Sequence, residues 1–139
     1  MSRISVVMMP DTGELWNAVG DPVKANGWFG IPNVLHTISI QVRNLQGRVF
    51  IEGTLAAKPT ELDWFPISLR NNLPYIEYPV DPLNPTGDSG GDTGIAAYNI
   101  TGNFMFLRAR LDRSYIFPDP PSSFISDNYG KVVLILLNH

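Results

Sequence analysis

Residues 87–91 carry the pattern in this chain that most resembles a catalytic site, because they read Gly-Asp-Ser-Gly-Gly. A serine between glycines can act as a nucleophile, since the glycines let backbone N–H groups point at the oxyanion that forms during acyl transfer. Such a serine needs a histidine as base and an aspartate to orient that histidine. His36 and Asp63 precede Ser89 in the chain, so the residue types for a hydrolase are present.

The same order of residues occurs in chymotrypsin-like serine proteases, but the surrounding sequence argues against that assignment. His36 lies in Val-Leu-His-Thr-Ile, without the small residues and cysteine typical of that family, and Asp92 stands where a proline normally follows the motif. Too few residues follow Ser89 for a fold of two six-stranded barrels. Glycine, aspartate and serine are also the commonest loop residues. We therefore expect an inert Ser89 and no enzyme, and keep a serine protease as a remote alternative.

Other polar residues give weaker signals for a metal or a cofactor. Asp81, Asp88 and Asp92 share one loop, but their spacing does not match a calcium-binding loop and no terminal glutamate is present. Glu61 and Asp63 imitate a glycosidase carboxylate pair without a sugar platform. The sequence therefore predicts no catalytic residue, no metal site and no cofactor.

Composition narrows the possible partners. The chain has no cysteine, which excludes disulfides and zinc–thiolate sites, and only two histidines. Its net charge of −3 and scattered basic residues give no electrostatic footprint for nucleic acid. The longest apolar run, residues 132–137, is too short to span a bilayer. We therefore expect neither nucleic acid nor membrane as a partner.

Residues 38–55 carry the clearest strand pattern. Apolar and polar residues alternate on both sides of Gln46-Gly47, which is the period of half-buried strands. With Gln46-Gly47 as a two-residue hairpin loop, Val42 would face Ile51 and Ile38 would face Leu55. This register predicts an inward set of Ile38, Ile40, Val42, Ile51 and Leu55 and an outward set of Ser39, Gln41, Arg43, Glu52 and Thr54.

Short strand patterns recur along the rest of the chain. They lie at residues 4–9, 62–69, 74–80, 95–111 and 131–138, and loops are expected at 81–94 and 113–130. No stretch shows helical periodicity. Seven or eight short strands with long loops predict an all-β antiparallel sandwich, jelly-roll-like or Ig-like. We expect it to span residues 34–139, preceded by an irregular N-terminal arm at 1–33.

The sequence also contains more apolar residues than one small sandwich would hide. Residues 132–137 are apolar on both faces, two phenylalanines lie on a nominally outer strand face, and three aromatics lie in the arm. A subunit interface would bury them. The candidate interface residues are Trp16, Trp28, Phe29, Phe104, Phe106, Val133, Ile135 and Leu137.

Several segments resemble small virion proteins of tailed bacteriophages, especially phages of cyanobacteria. They are Ile-Ser-Ile-Gln-Val-Arg-Asn from residue 38, Gly-Arg-Val-Phe-Ile-Glu-Gly-Thr-Leu-Ala from 47, Asp-Trp-Phe-Pro-Ile from 63, Ala-Tyr-Asn-Ile-Thr-Gly-Asn-Phe-Met-Phe-Leu-Arg-Ala from 97, and the closing segment from Gly130. The resemblance covers residues 34–139 and brings no catalytic residue with it. The arm and the Gly/Asp-rich loop lie outside it.

The resemblance implies a non-enzymatic structural component of a tailed-phage virion, assembled in the host cytoplasm. A head decoration or cement protein, or a head-proximal neck or tail accessory protein, is the expected role. The expected partners are other virion proteins (capsid, neck or tail) and further copies of the chain in a homo-oligomer. The alternative is a carbohydrate- or receptor-binding β-sandwich on a fibre, with a platform formed by Trp16, Trp28, Trp64, Tyr75 or Tyr78.

Overall fold

The computed structural model describes residues 4–32, 34–70, 72–122 and 128–139. Residues 1–3 and 33 of the predicted arm, and 123–127 of the predicted loop 113–130, lie outside the described residues. The elements in chain order are β1 (Ser5–Met9), β2 (Ala18–Val19), β3 (Val23–Lys24), β4 (Val34–Leu45), β5 (Gly47–Thr54), a 3₁₀ turn (Glu61–Asp63), β6 (Phe65–Ile67), β7 (Ile76–Tyr78), β8 (Asp92–Gly102), β9 (Phe106–Asp112) and β10 (Lys131–Asn138).

The strands form two antiparallel sheets packed as a sandwich, which confirms the predicted all-β class. Sheet A has four strands in the order β1-β10-β4-β8. Sheet B has six, with β9 and β5 at its centre: β2 and β3 pair with β9, and β6 and β7 pair with β5. The apolar residues between the two sheets form one continuous core.

Alternation along each strand builds this core, as the period of two requires. Ile38, Ile40 and Val42 of β4 are buried between the sheets. Leu107, Ala109 and Leu111 of β9 face them from sheet B. β10 lies centrally between β1 and β4, as its apolar composition indicates.

The predicted 38–55 hairpin is wrong. β4 pairs with β10 and β8 in sheet A, whereas β5 pairs with β9, β6 and β7 in sheet B. Only Gln46 separates the two strands, which leaves no room for a two-residue hairpin loop. Asn44 turns the chain there with a φ of 50°. The segment is a crossover between the sheets. The alternation of apolar and polar residues fits a crossover as well as a hairpin, because β4 and β5 both face the same core.

The crossover also changes where individual side chains lie. Ile51 is in the core as predicted, but Leu55 lies beyond the end of β5 and is 67% exposed. Glu52 and Thr54 point away from the core as predicted, yet both are buried. The outer face of sheet B is therefore covered by other side chains.

The predicted arm is also corrected. Within residues 4–32, β1 pairs with β10 in sheet A, while β2 and β3 pair with β9 in sheet B. Met8, Met9, Trp16 and Ala25 are buried in this part of the chain. The frequent glycines and prolines shorten the strands without preventing pairing, so the boundary at residue 33 does not separate an arm from a domain.

Truncation of Ile38 and of Leu55, which the predicted hairpin would pair, should change the stability by different amounts. Ile38→Ala should lower the free energy of unfolding by about 2–5 kcal/mol, because the side chain is fully buried and a cavity remains. Leu55→Ala should change it by less than about 0.5 kcal/mol, since that side chain is mostly exposed. Urea unfolding of both variants measures this, and equal losses would contradict the crossover.

Candidate interaction surfaces

The structure separates the residues that imitate a serine protease. His36 is fully buried near the start of β4, and Ser89 lies by its other end, where the Ser89 carbonyl accepts a hydrogen bond from Gln46 Nε2 at 3.3 Å. Asn44 is eight positions after His36 in β4, so at about 3.3 Å per residue the two lie roughly 25 Å apart. Asp63 instead accepts hydrogen bonds from Thr60 at the 3₁₀ turn. The three residues do not form a catalytic group.

The carboxylates of Asp81 and Asp92 in loop 81–94 accept hydrogen bonds from backbone groups in and next to that loop. Asp92 is buried and accepts hydrogen bonds from the backbone N–H groups of Val80 at 2.7 Å and Thr86 at 3.1 Å. Asp81 accepts from the Leu83 N–H at 3.1 Å. Within the described ranges, no group of three His, Asp or Glu residues could hold a metal ion.

In the part of the chain that the structure describes, no helix is long and apolar enough to cross a bilayer.

Three of the candidate interface residues are core residues. Ile135 and Leu137 are fully buried between the sheets. Trp16 is 4% exposed, donates a hydrogen bond from Nε1 to the Phe117 carbonyl at 2.9 Å, and packs edge-on against Tyr129. These side chains already have their partners within one chain, so their assignment to an interface is corrected.

The other candidates divide between the core margin and the surface. Phe104 packs against the core, with its ring 5.8 Å from that of His36. Phe106 is half-buried under Trp28, whose ring centroid lies 5.4 Å away. Trp28 and Phe29 are exposed, by 43% and 53%, and Val133 is half-buried on β10.

The outer face of sheet B carries a network of arginines, carboxylates and aromatic rings, which we call the Arg–aromatic face. Arg108 donates from Nε to Glu52 at 2.9 Å and lies over the Trp64 ring at 4.3 Å. Arg110 donates to the other oxygen of Glu52 at 3.4 Å. The full set is Arg48, Phe50, Glu52, Trp64, Tyr75, Glu77, Phe106, Arg108, Arg110, Asp112 and Tyr115.

The register of β5 and β9 builds this network, because it places Glu52 opposite Arg108 and Phe50 opposite Arg110. Burial lowers the pKa of Arg108, but its ion pairs with Glu61 and Glu52 outweigh burial and raise it above the usual range. Arg108 is therefore a permanent cation held by two carboxylates. The sequence analysis did not find this network, because it paired β5 with β4 in a hairpin, whereas the structure pairs β5 with β9.

Asp112 lies at the end of the Arg–aromatic face. Burial raises the pKa of its carboxyl, but hydrogen bonds from Ser114 and the nearby Arg110 lower it below its ordinary value of 3.8. A lowered pKa in the folded state stabilises the protein above the ordinary value. That contribution is lost as the pH falls below about 4.

The aromatic residues do not form the platform that a carbohydrate-binding module needs. Trp16 and Tyr78 are buried. The rings of Trp64 and Tyr75 are covered by the guanidinium groups of Arg108 and Arg48, at 4.3 and 4.5 Å. Trp28 is the most exposed ring of the proposed platform and has Lys24 Nζ at 4.6 Å.

Most of the outer face of sheet A differs in character, and we call this part, which runs along β4 from Leu35 to Gln41, the uncharged face. The next outward residue of β4, Arg43, is charged and lies opposite Lys131 at one end of the sheet. The strand registers align its side chains in rows that run across the sheet. One row is Val7, Leu136, Ser39 and Ala97; the next is Leu134, Gln41 and Ile95; a third is Ser5, Asn138, Thr37 and Asn99. None of these residues is charged, and Val7 and Ile95 are 50% and 66% exposed.

This face could not be found from the sequence. Each strand contributes two or three of its residues, and only the order β1-β10-β4-β8 brings them together. Charge depletion with exposed aliphatic side chains is typical of the central part of protein interfaces. The uncharged face therefore has the composition that the centre of a protein interface usually has.

No family model matches the chain, and neither a curated protein nor a solved structure matches it.

The buried ion pair should contribute far more to stability than the exposed one. Glu52→Gln leaves Arg108, whose side chain is 8% exposed, without its closest carboxylate. We expect a loss of about 3 kcal/mol in the free energy of unfolding. Glu77→Gln breaks the solvent-accessible pair with Arg48 and should lower stability by less than about 1 kcal/mol. Urea midpoints give both values, and equal small losses would contradict a covered face.

Ser89 should be chemically inert. Since His36 lies far from it, an active-site-directed fluorophosphonate should not label the protein. Mass spectrometry of the intact chain after treatment measures the adduct, with Ser89→Ala as the matched control. An adduct on the wild-type chain that Ser89→Ala abolishes would restore the hydrolase alternative.

Proposed function

We propose that the chain is a non-enzymatic structural component of a tailed-phage virion, as a head decoration or head-proximal accessory protein. The uncharged face of sheet A carries the proposal. A rigid sandwich face without charge can be covered by a neighbouring protein at a small desolvation penalty. The exposed Val7, Leu35 and Ile95 supply apolar area for such a contact.

The segments that resemble phage virion proteins support the same role. They form strands of both sheets: β4, β5, β6, most of β8 and β9, and β10. The resemblance therefore concerns the framework of the sandwich, whereas the Gly/Asp-rich loop lies outside it. A scaffold with a docking face and no assembled catalytic group among the described residues fits a virion part better than an enzyme.

Mass spectrometry of purified particles, separated into head and tail fractions, tests the proposal directly. A phage that encodes the chain should contain it in one fraction at a defined copy number. Its absence from particles that retain their other structural proteins would overturn the proposal.

A surface variant tests the uncharged face itself. Val7→Glu places a charge in one of its rows, and incorporation into particles should fall at least about tenfold. Leu62→Glu is the matched control, because Leu62 is 96% exposed on the 3₁₀ turn, away from this face. Equal incorporation of the two folded variants would show that another surface makes the contact.

A further inference from the structure

β8 is an end strand with an open edge. Along one side it pairs with β4 through the whole span from Asp92 to Gly102. Along its other side, sheet A ends, and no strand of the described residues continues it. An open edge presents unpaired backbone N–H and C=O groups that can pair with another strand.

This edge lacks the features that usually prevent such pairing. Natural edge strands are short, or carry lysine, proline or a bulge that blocks a second strand. β8 has 11 residues, and between Thr93 and Thr101 it contains no charged residue and no proline. Residues 93–97 are exposed on both faces of the strand, with Ile95 at 66%. The irregular register lies at the Asp92 end, which leaves the rest of the edge regular.

The length of β8 identifies the strand that can cover it. The other end strands are much shorter, with 5 residues in β1, 3 in each of β6 and β7, and 2 in each of β2 and β3. Among the described strands with an open edge, only β8 itself is long enough to match β8. We infer that β8 pairs with β8 of a second copy of the chain, antiparallel about a two-fold axis, to form one continuous eight-stranded sheet.

A two-fold axis through Ala97 is compatible with every facing pair. It places Ala97 opposite Ala97, and the next pairs are Ala96 with Tyr98, Ile95 with Asn99, and Gly94 with Ile100. The Thr93 N–H and C=O already bond to Thr86 Oγ1, so the pairing ends at Gly94. A charge near such an axis would face its own copy, and none occurs here, although each chain has a net charge of −3. The contact also joins the two uncharged faces into one surface. The pairing thereby deepens the proposed structural role, and its biological purpose rests on that proposal.

A charge placed at the axis tests this pairing with the purified full-length chain. Sedimentation analysis should show a dimer for the wild type. Ala97→Lys and Ala97→Glu should each weaken the dimer at least about tenfold, because like charges then face each other. An equimolar mixture of the two variants should restore the dimer, since opposite charges now meet. Leu62→Lys, on the exposed 3₁₀ turn, is the control and should remain dimeric.

Hydrogen exchange supplies a second measurement. Amides of residues 94–101 that face the open edge should gain protection as the protein concentration rises through the dissociation constant. A monomeric wild type would overturn the inference, as would a dimer that neither charged variant weakens. Both results concern the isolated protein. They are therefore distinguishable from failure to find the chain in particles, which would overturn the virion role and leave the dimer intact.

Discussion

The peptide of Asn44 is the constraint on which the rest of the sandwich depends. Gly91 and Gly130 approach its backbone so closely that a Cβ on either residue would collide with it. Its side-chain oxygen accepts hydrogen bonds from the Asp88 N–H at 2.8 Å and Thr93 Oγ1 at 3.3 Å. Three distant segments therefore meet at the point where the chain leaves sheet A for sheet B, and this meeting fixes where β8 and β10 begin.

The crossover shows what alternation can and cannot predict. The inward positions of Ile38, Ile40, Val42 and Ile51 follow from the period of two and were predicted correctly. The pairing of those strands was predicted wrongly, because a strand with one apolar face fits any neighbour that shares the core. The information that distinguishes a hairpin from a crossover lies at Asn44, whose left-handed backbone conformation and glycine neighbours involve residues far away in the sequence.

The surfaces were less predictable than the core, for a related reason. Glu52 and Arg108 are charged residues that a single sequence places in solvent, yet the register of β5 and β9 brings them together and Trp64 covers them. Ile135 and Leu137 were expected to exceed what one sandwich can hide, but β1 and the residues after it complete the core around them. Burial depends on which strands become neighbours, and composition does not determine that.

The two outer faces differ in how readily they can be covered. On the Arg–aromatic face each guanidinium already has a carboxylate or a ring, so a partner would have to desolvate charges that gain no new interaction. On the uncharged face the hydroxyl and amide groups partly satisfy each other, as in the Thr37–Asn99 hydrogen bond of 2.8 Å, and aliphatic side chains lie between them. Covering that face removes apolar area from water without removing a charge. This physical asymmetry of the sandwich is why we propose association through sheet A, and the open edge of β8 lies on that same sheet.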